Sequence, residues 1–178
     1  NNYLLSKSKI KIDKIGDEDV LCAPLDFPEI QELEDIRNEA EQYLEIDKSV
    51  LMAIASCRKA IEMVNWNGRG NVGISIASSF GPTGAWEKRH ESLMQKGKLS
   101  PLSSPKSMLG NVSAWVAHDL SIKGLAISHS MTCSTGIHAI TNGIVFLSTN
   151  MCDRYLCGGT EDPLTPFIHK EFETLGLY

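Results

Sequence analysis

The sequence predicts an α/β fold, in which strands and helices alternate around one hydrophobic core. Residues 125–161 carry a short apolar run, a polar turn, a long apolar run and a second short run, which is the pattern of a strand–helix–strand unit with parallel strands. Residues 48–64 repeat apolar side chains at helical spacing, just before another apolar run at 72–77. The chain has 178 residues, of which 42% are hydrophobic and 22% charged, as is typical of one ordinary globular domain.

The N-terminal part of the chain predicts short strands followed by an outer helix. Residues 10–15 and 20–22 are strand-like stretches, and they are separated by the turn residues Gly16 and Asp17. A helix is predicted over 29–44, where apolar side chains recur at steps of three and four between acidic and amide side chains. Because that polar face is acidic, we expect it to lie in solvent.

A second helix is predicted over 48–64, with Asp47 as its N-cap. Cys57 lies on the apolar stripe of this helix, so we expect an unreactive thiol in the core. The apolar run at 72–77 predicts a strand, and the glycines and proline of residues 81–84 predict the loop that follows it.

The middle of the chain predicts a polar helix, a loop and an apolar helix. The polar helix is expected over 86–95 and the Ser/Pro-rich loop over 97–105. Ser104 is the expected N-cap of the next helix and Pro105 its first residue. The apolar face of that helix comprises Met108, Val112, Trp115 and Val116. A stripe of this kind is more often core than ligand pocket.

The long apolar run at 137–147 predicts a helix that is hydrophobic nearly all round, between strands at 125–128 and 153–157. Such a helix must be covered on every side, so we expect it to be buried. The glycines at 158–159 are expected to allow close backbone packing.

Charge and cysteine content exclude several classes of protein. The net charge is −5 without a long basic run, which argues against a nucleic-acid surface and against binding to anionic membranes. Apolar stretches are interrupted before they reach membrane-spanning length, so no membrane span is expected. The five cysteines are irregularly spaced, which indicates a reducing cytoplasm, and no Cys/His pair follows Cys152 and Cys157 at zinc-site spacing. The chain begins at Asn1 rather than Met, as a trimmed chain would.

Cys133 differs from the other cysteines because it lies where a strand ends and a helix begins. Unpaired backbone N–H groups and the positive end of the helix dipole favour a thiolate at such a position. The same N–H groups can stabilise an oxyanion on an attacked carbonyl. Small residues at 134–136 leave room for a substrate. Most cysteines are structural, but this arrangement is that of a nucleophile elbow.

The motifs around this cysteine resemble those of the β-ketoacyl synthase (ketosynthase) family. Residues 130–136 are similar to its Thr-Ala-Cys-Ser-Ser/Thr-Gly turn, Asp153 to the Asp before its next strand, and residues 158–161 to its Gly-Gly-x-Glu. The resemblance covers residues 45–170 and includes, further upstream, the helix at 48–64, the strand at 72–78, Gly81 and Gly124.

The resemblance implies a thiolase-like fold, of which this chain would be the N-terminal half: a mixed sheet with a buried helix in α-β-α layers. It implies a single domain, with a divergent segment at 1–45 and a family-like core at 46–170. Cys133 would take an acyl group from acyl carrier protein, whose phosphopantetheine is the substrate arm, and no cofactor or metal is implied. Residues implied to bind substrate lie beside the cysteine and on the helix near the dimer partner's acyl tunnel: Met108, Val112, Trp115, Thr132 and Ser134.

The chain departs from the family pattern in three respects. Met131 and Thr132 replace the usual Thr-Ala, the N-terminal strand is short, and the half that carries the family's two catalytic histidines does not follow. No histidine of this chain can be assigned to those roles: His90, His118, His129, His138 and His169. Only His129 and His138 are near enough in sequence to activate Cys133. Glu161 is implied to be a buried structural carboxylate near the cysteine loop.

Three functions are compatible with these features. The first is a condensing enzyme of fatty acid or polyketide synthesis, completed by a second half or a partner. The second is a chain-length-factor-like subunit that pairs with a full ketosynthase, although such subunits usually lack the cysteine. The third is a cysteine hydrolase or acyltransferase of another fold, which requires a His and an Asp converging on Cys133. Half a thiolase fold would expose an apolar face and the strand at 125–129, so we expect a homodimer or heterodimer.

Overall fold

A computed structural model describes residues 8–64, 66 and 70–177. The chain forms two compact units, which we call the terminal unit (Asn1–Glu32 with Pro163–Tyr178) and the central unit (Leu33–Asp162). The elements are β1 (Lys11–Ile15), β2 (Glu18–Cys22), α1 (Phe27–Asn38), a 3₁₀ turn (Glu41–Tyr43), α2 (Lys48–Met63), β3 (Val72–Ala77), α3 (Thr83–Lys96), α4 (Asn111–Asp119), β4 (Ala126–Ile127), α5 (Thr135–Ser148), β5 (Arg154–Gly159) and α6 (Pro166–Thr174). The predicted single domain, divided at residue 45, stays a prediction.

The terminal unit is built on the hairpin of β1 and β2, which pair antiparallel. Gly16 makes the turn with a left-handed backbone (φ 61°), a conformation that glycine adopts without strain, so the predicted strand–turn–strand order is confirmed. One face of the hairpin buries Ile15, Val20 and Cys22, against which Leu164 packs. These contacts join the two ends of the chain in one small core.

The helix predicted over 29–44 is shorter than expected. α1 ends at Asn38, because Ala40 has an extended backbone (φ −155°, ψ 147°), and a 3₁₀ turn follows. The Arg37 guanidinium satisfies two carbonyl groups beyond the helix end, donating to Leu44 O at 3.1 Å and Ile46 O at 3.0 Å. A long-range side-chain contact therefore replaces the last helical turns.

Asp47 joins α2 to α3. As predicted, it is the N-cap of α2: one carboxylate oxygen accepts hydrogen bonds from the Ser49 N–H (2.9 Å) and the Ser49 hydroxyl (2.7 Å). The other oxygen accepts from the Ala85 N–H, at 2.6 Å, in the first turn of α3. One buried carboxylate thus satisfies backbone donors at the start of two helices.

The sheet of the central unit has the order β4-β3-β5, and its strands are parallel. The predicted parallel relation of the strands before and after α5 is confirmed, and β3 lies between them. The resemblance implied a mixed sheet, whereas the strands of this sheet are all parallel. Each strand is joined to the next through helices, and the antiparallel pair β1–β2 is a separate hairpin. Every residue of β3 is buried, so this strand is the centre of the core.

Helices cover both faces of this sheet. Tyr155 of β5 stacks on Phe146 of α5, with ring centroids 5.7 Å apart. The next residue, Leu156, lies on the opposite face of the sheet. There it lines a cavity together with Ile61 and Val64, at the C-terminal end of α2. The layers are therefore α-β-α. The family-like arrangement of helices on both faces agrees with the predicted fold.

Two glycines make room for the Tyr155 ring. A Cβ atom at Gly73 would lie 2.5 Å from the ring, and one at Gly143 would lie 2.9 Å from it. The ring occupies the space that these missing side chains leave between β3 and α5. Close packing of α5 on the sheet therefore depends on glycine at both positions.

The start of α4 differs from the prediction. The helix begins at Asn111 rather than Pro105, and residues 101–107 form turns. The Pro105 carbonyl accepts side-chain hydrogen bonds from Asn111 and Trp115 instead of entering a helix. Met108 therefore lies outside the helix and is 57% exposed, which corrects its predicted place on the apolar face.

The prediction that α5 is covered on every side is wrong for the described chain. Its inner face, with Thr135, Ala139 and Gly143, is buried on the sheet. The α5 outer face, as we call the opposite side, is exposed by 42–70% and comprises Ile137, Ile140, Ile144, Val145 and Leu147. No other element among the described residues covers it, and a continuous apolar face of this kind marks an interaction surface.

Arg58 connects α2 to the end of α4. Its guanidinium donates to both carboxylate oxygens of Asp119, at 2.9 and 2.6 Å, and to both of Glu39, at 2.7 and 2.6 Å. The Tyr43 hydroxyl also donates to Asp119, at 2.9 Å. The Asp119 side chain is only 3% exposed, whereas that of Glu39 is 46% exposed. The Arg58–Asp119 pair should therefore matter more for the free energy of unfolding than the Arg58–Glu39 pair.

We predict that Arg58→Met destabilises the chain by about 3 kcal/mol, because it leaves the buried Asp119 carboxylate without its cation. Glu39→Gln is the matched control on the same guanidinium. It should cost less than about 1 kcal/mol, because the Glu39 pair is open to water. Urea unfolding followed by circular dichroism measures both changes. Equal costs for the two variants would contradict this division of the network.

Candidate functional site

Cys133 lies in the loop between β4 and α5, one residue before the N-cap Ser134. Its side chain is exposed, and α5 begins at Thr135. The predicted position between a strand end and a helix start is confirmed. The thiol is therefore open to a reagent at the positive end of a helix of 14 residues.

Thr135 fastens the turn that carries the cysteine. Its buried hydroxyl oxygen accepts a hydrogen bond from the Met131 N–H, at 2.8 Å, and the hydroxyl donates to the Thr132 carbonyl. Backbone bonds from Ser134 N to Met131 O (3.2 Å) and from Thr135 N to Thr132 O (3.1 Å) close the same turn. Thr132 has a left-handed backbone (φ 50°), which is strained for a β-branched residue and which these bonds maintain.

A second loop, which follows β3, is hydrogen-bonded to the cysteine turn. The Ser79 hydroxyl donates to the Thr132 carbonyl at 2.7 Å, and the Ser130 hydroxyl donates to the Ser79 carbonyl at 2.9 Å. These reciprocal bonds join the loops that follow β3 and β4. Both loops are at the carboxyl edge of the parallel sheet, where open α/β proteins place their binding sites.

Glu161, just beyond β5, adds the third loop at this edge. Its carboxylate accepts hydrogen bonds from the Ser78 hydroxyl (2.8 Å), the Ser79 N–H (2.7 Å) and the Phe80 N–H (3.3 Å). The expectation of a structural carboxylate near the cysteine loop is confirmed, although Glu161 is half-buried rather than buried. We call Glu161, Ser79 and Thr132 the loop clamp, because their contacts connect all three strand ends.

The five residues predicted to bind substrate fall into two groups. Thr132 and Ser134 flank Cys133, are exposed, and donate their hydroxyl groups to the Met131 carbonyl at 2.8 Å. Val112 is fully buried, and Trp115 is half-buried with its indole against Tyr43 and His118. Met108 is exposed before α4. Their roles in substrate binding stay predictions.

The histidines are distributed over the chain. The rings of His129 and His138 meet edge to face, with centroids 6.4 Å apart, on either side of the cysteine turn. His90 stacks on Trp86, His118 contacts Gln42, and His169 pairs with Glu18 in the terminal unit. Within the described residues, no contact given by the structure joins an imidazole or an Asp carboxylate to Cys133. The hydrolase hypothesis, which required both, therefore has no support.

The remaining cysteines differ from Cys133 in accessibility. Cys57 is buried in α2, and burial raises the pKa of its thiol to about 12, which confirms the expected unreactive core thiol. Burial also raises the pKa of Cys157, which is half-buried on β5. Cys22 and Cys152 are buried, so Cys133 is the exposed thiol among the described residues.

Two cavities in the central unit lie at the other edge of the sheet. One, of about 460 Å³, is lined by Val72 and Arg154, the first residues of β3 and β5. The other, of about 520 Å³, is lined by Val72 and Gly124. Neither is lined by Cys133, which lies at the carboxyl edge.

Within residues 8–64, 66 and 70–177, no three His, Cys, Asp or Glu side chains are grouped to hold a metal ion. No helix in that part combines the length and apolar character needed to cross a membrane.

Sequence reasoning missed Thr135 and Ser79 as contributors to this site. Hydroxyl side chains are common in the sequence, and nothing in their spacing distinguishes these two. One weak signal was available: short polar side chains follow β3 and β4, as Glu161 follows β5. Parallel strands bring such residues to one edge, so the juxtaposition follows from the topology.

A family model described as "Beta-ketoacyl synthase, N-terminal domain" matches residues 31–178. The 3-oxoacyl-[acyl-carrier-protein] synthase 2 of Coxiella burnetii is 32% identical over 126 residues, covering 67% of this chain and 30% of that protein. The Staphylococcus aureus protein of the same name is 29% identical over 126 residues, which are 67% of this chain and 31% of that protein. The matched part of the chain thus spans about a third of these curated relatives.

Solved structures with the same fold include two ketosynthase assemblies. The ishigamide ketosynthase/chain length factor aligns with a TM-score of 0.72 at 16% identity, over 96% of this chain and 42% of that one. A type II PKS acyl-carrier protein in complex with its ketosynthase, bound to the hexaketide, aligns with a TM-score of 0.66 at 20% identity, over 72% of this chain and 34% of that one. The predicted thiolase-like fold is confirmed by these neighbours. The extent of the family match, together with the cysteine turn and its loop clamp, shows that the chain belongs to the β-ketoacyl synthase family, in its N-terminal domain.

Proposed function

We propose that this chain is the nucleophile-bearing half of a condensing enzyme of fatty acid or polyketide synthesis, located in the cytoplasm, and that Cys133 is its acylated residue. One observation carries the proposal: the Cys133 thiol is exposed at the N-terminus of α5, in a turn that is hydrogen-bonded to the loop after β3, which is itself hydrogen-bonded to Glu161 beyond β5. Acyl carrier protein is the proposed donor, since curated relatives are named for it and a structural neighbour contains it.

The proposed first step is transfer of an acyl group between two sulfur atoms. The Cys133 thiolate attacks the thioester carbonyl on the phosphopantetheine arm, and a C–S bond forms. The C–S bond to the arm then breaks, and its thiolate takes the proton that Cys133 lost. The oxyanion of the intervening tetrahedral adduct is placed at the N-terminus of α5, where backbone N–H groups and the helix dipole stabilise negative charge.

The second step, in which an extender is decarboxylated and attacks the acyl group, needs groups that the described residues do not bring to Cys133. We assign those groups to a second half, supplied by further chain or by a partner. Two observations support this division. The matched part covers about 30% of the curated relatives, and the α5 outer face exposes side chains such as Ile137 (70%) and Ile144 (60%). This second half is proposed to cover that face.

A second candidate is a chain-length-factor-like subunit that pairs with a full ketosynthase. The observation in its favour is the alignment of 96% of this chain with a structure of a ketosynthase and its chain length factor. Retention of Cys133 favours the first candidate, because a subunit without a catalytic role has no need of an exposed thiol in a strained turn. Acylation of Cys133 distinguishes the two candidates.

We predict that the chain, mixed with acyl-loaded acyl carrier protein, gains one acyl group on Cys133 and none on Cys57, whose buried thiol resists ionisation. Intact-mass and peptide mass spectrometry locate the adduct. Cys133→Ala should abolish it, and Cys57→Ala should leave it. If no adduct forms on Cys133, either with the chain alone or after addition of a family member's C-terminal half, the condensing function is rejected.

We also predict that the isolated chain associates through the α5 outer face, since exposure of this apolar area to water is unfavourable. Light scattering after size-exclusion chromatography should show a dimer or larger species. Ile140→Asp with Ile144→Asp should yield a monomer. Met94→Asp, which changes an exposed apolar residue of α3, is the control and should not alter the mass. A wild-type monomer would refute the proposed need for cover.

A further inference from the structure

His129 occupies a specific place between the sheet and the cysteine turn. It comes two residues after Ile127, the last residue of β4, and four before Cys133. Ile127 pairs with Ser75 of β3 in the parallel register. Because side chains two apart lie on the same face, His129 continues the row of Ile127 toward the face on which α5 packs. The topology thus directs this imidazole beneath the helix that starts at Cys133.

The contacts of the ring agree with that placement. Its Nδ1 lies 3.5 Å from the hydroxyl of Ser75, a residue with no exposed surface at the centre of the sheet, and the Tyr155 side chain interacts with the same hydroxyl. On the other side, the ring meets the His138 ring of α5 edge to face, at 6.4 Å between centroids. The imidazole therefore bridges β3 and the first turns of α5.

The second ring nitrogen has a different environment. Nε2 of His129 is inaccessible to solvent and has no hydrogen-bond partner among the residues that the structure describes. An apolar side chain of similar size would avoid this cost, since leaving a buried polar atom unpaired is unfavourable. A histidine here must therefore contribute something that offsets the loss, and its hydrogen bond to Ser75 is the contact available for that role.

We infer that His129 is a positioning residue for Cys133: its Nδ1–Ser75 contact anchors the start of the cysteine turn to β3, so that the thiol stays at the N-terminus of α5. The loop clamp holds the outer side of the same turn through Ser79 and Thr132. The turn is thereby fixed from the sheet side and from the loop side. This inference relies on the proposed function only in treating the thiol of Cys133 as the reacting group.

The test uses the complete chain and a small reagent, iodoacetamide, so that it does not depend on acyl transfer. His129→Leu should slow alkylation of Cys133 by about fivefold, because the thiol is no longer fixed at the N-terminus of α5. It should also raise amide hydrogen exchange in residues 130–138 while exchange in α2 stays unchanged. His129→Asn, whose amide can take the place of Nδ1, should restore both values. His90→Leu, at an exposed histidine of α3, is the control and should change neither.

Ser75→Ala removes the same contact from the other side and provides a second route if His129→Leu does not fold. It should slow alkylation as His129→Leu does, and the two changes together should not add. The inference is overturned if alkylation and local exchange stay at wild-type values, if His129→Asn behaves like His129→Leu, or if exchange rises throughout the chain. A chain that responds as expected but never accepts an acyl group would refute the proposed function alone.

Discussion

The site depends on the hydrogen bonds that the Glu161 carboxylate accepts. This carboxylate accepts hydrogen bonds from the Ser78 hydroxyl and from the backbone of Ser79 and Phe80, and so fixes the loop after β3 from a residue just beyond β5. Ser79 then holds the Thr132 carbonyl of the cysteine turn. Charge-assisted bonds of this kind are strong relative to neutral ones. The position of an exposed thiol is thereby determined by contacts among three strand ends, although the residues involved are far apart in sequence.

The exposed side of α5 is the other constraint. The helix is apolar on both faces, yet the sheet covers only the face with Ala139 and Gly143. A helix that is hydrophobic all round is stable only when it is covered all round. The sequence pattern predicts burial on every side of α5, whereas the described chain covers one side only. That difference, together with the limited coverage of the curated relatives, supports a partner or further chain as the cover.

Local signals predicted much of the fold, and contacts between residues more than one helical turn apart account for what they did not predict. The β3 run, the Gly16 turn, the Asp47 cap and the cysteine at a helix start are each specified by neighbouring residues. The start of α4 was misplaced because side chains six and ten residues ahead satisfy the Pro105 carbonyl. The contacts of Ser79 and His129 likewise depend on how loops and strands meet, which residue spacing does not encode.

The most direct test of the account is cross-linking of the chain to acyl carrier protein that carries a haloacyl group on its pantetheine arm. The account predicts a single cross-link, at Cys133, that forms much more slowly in Glu161→Gln, since this change weakens the bonds that hold the loop after β3 and, through Ser79, the cysteine turn. Glu39→Gln, which changes an exposed carboxylate outside the loop clamp, is the control and should cross-link at the wild-type rate. A cross-link at another residue, or one formed at the same rate in Glu161→Gln, would contradict it.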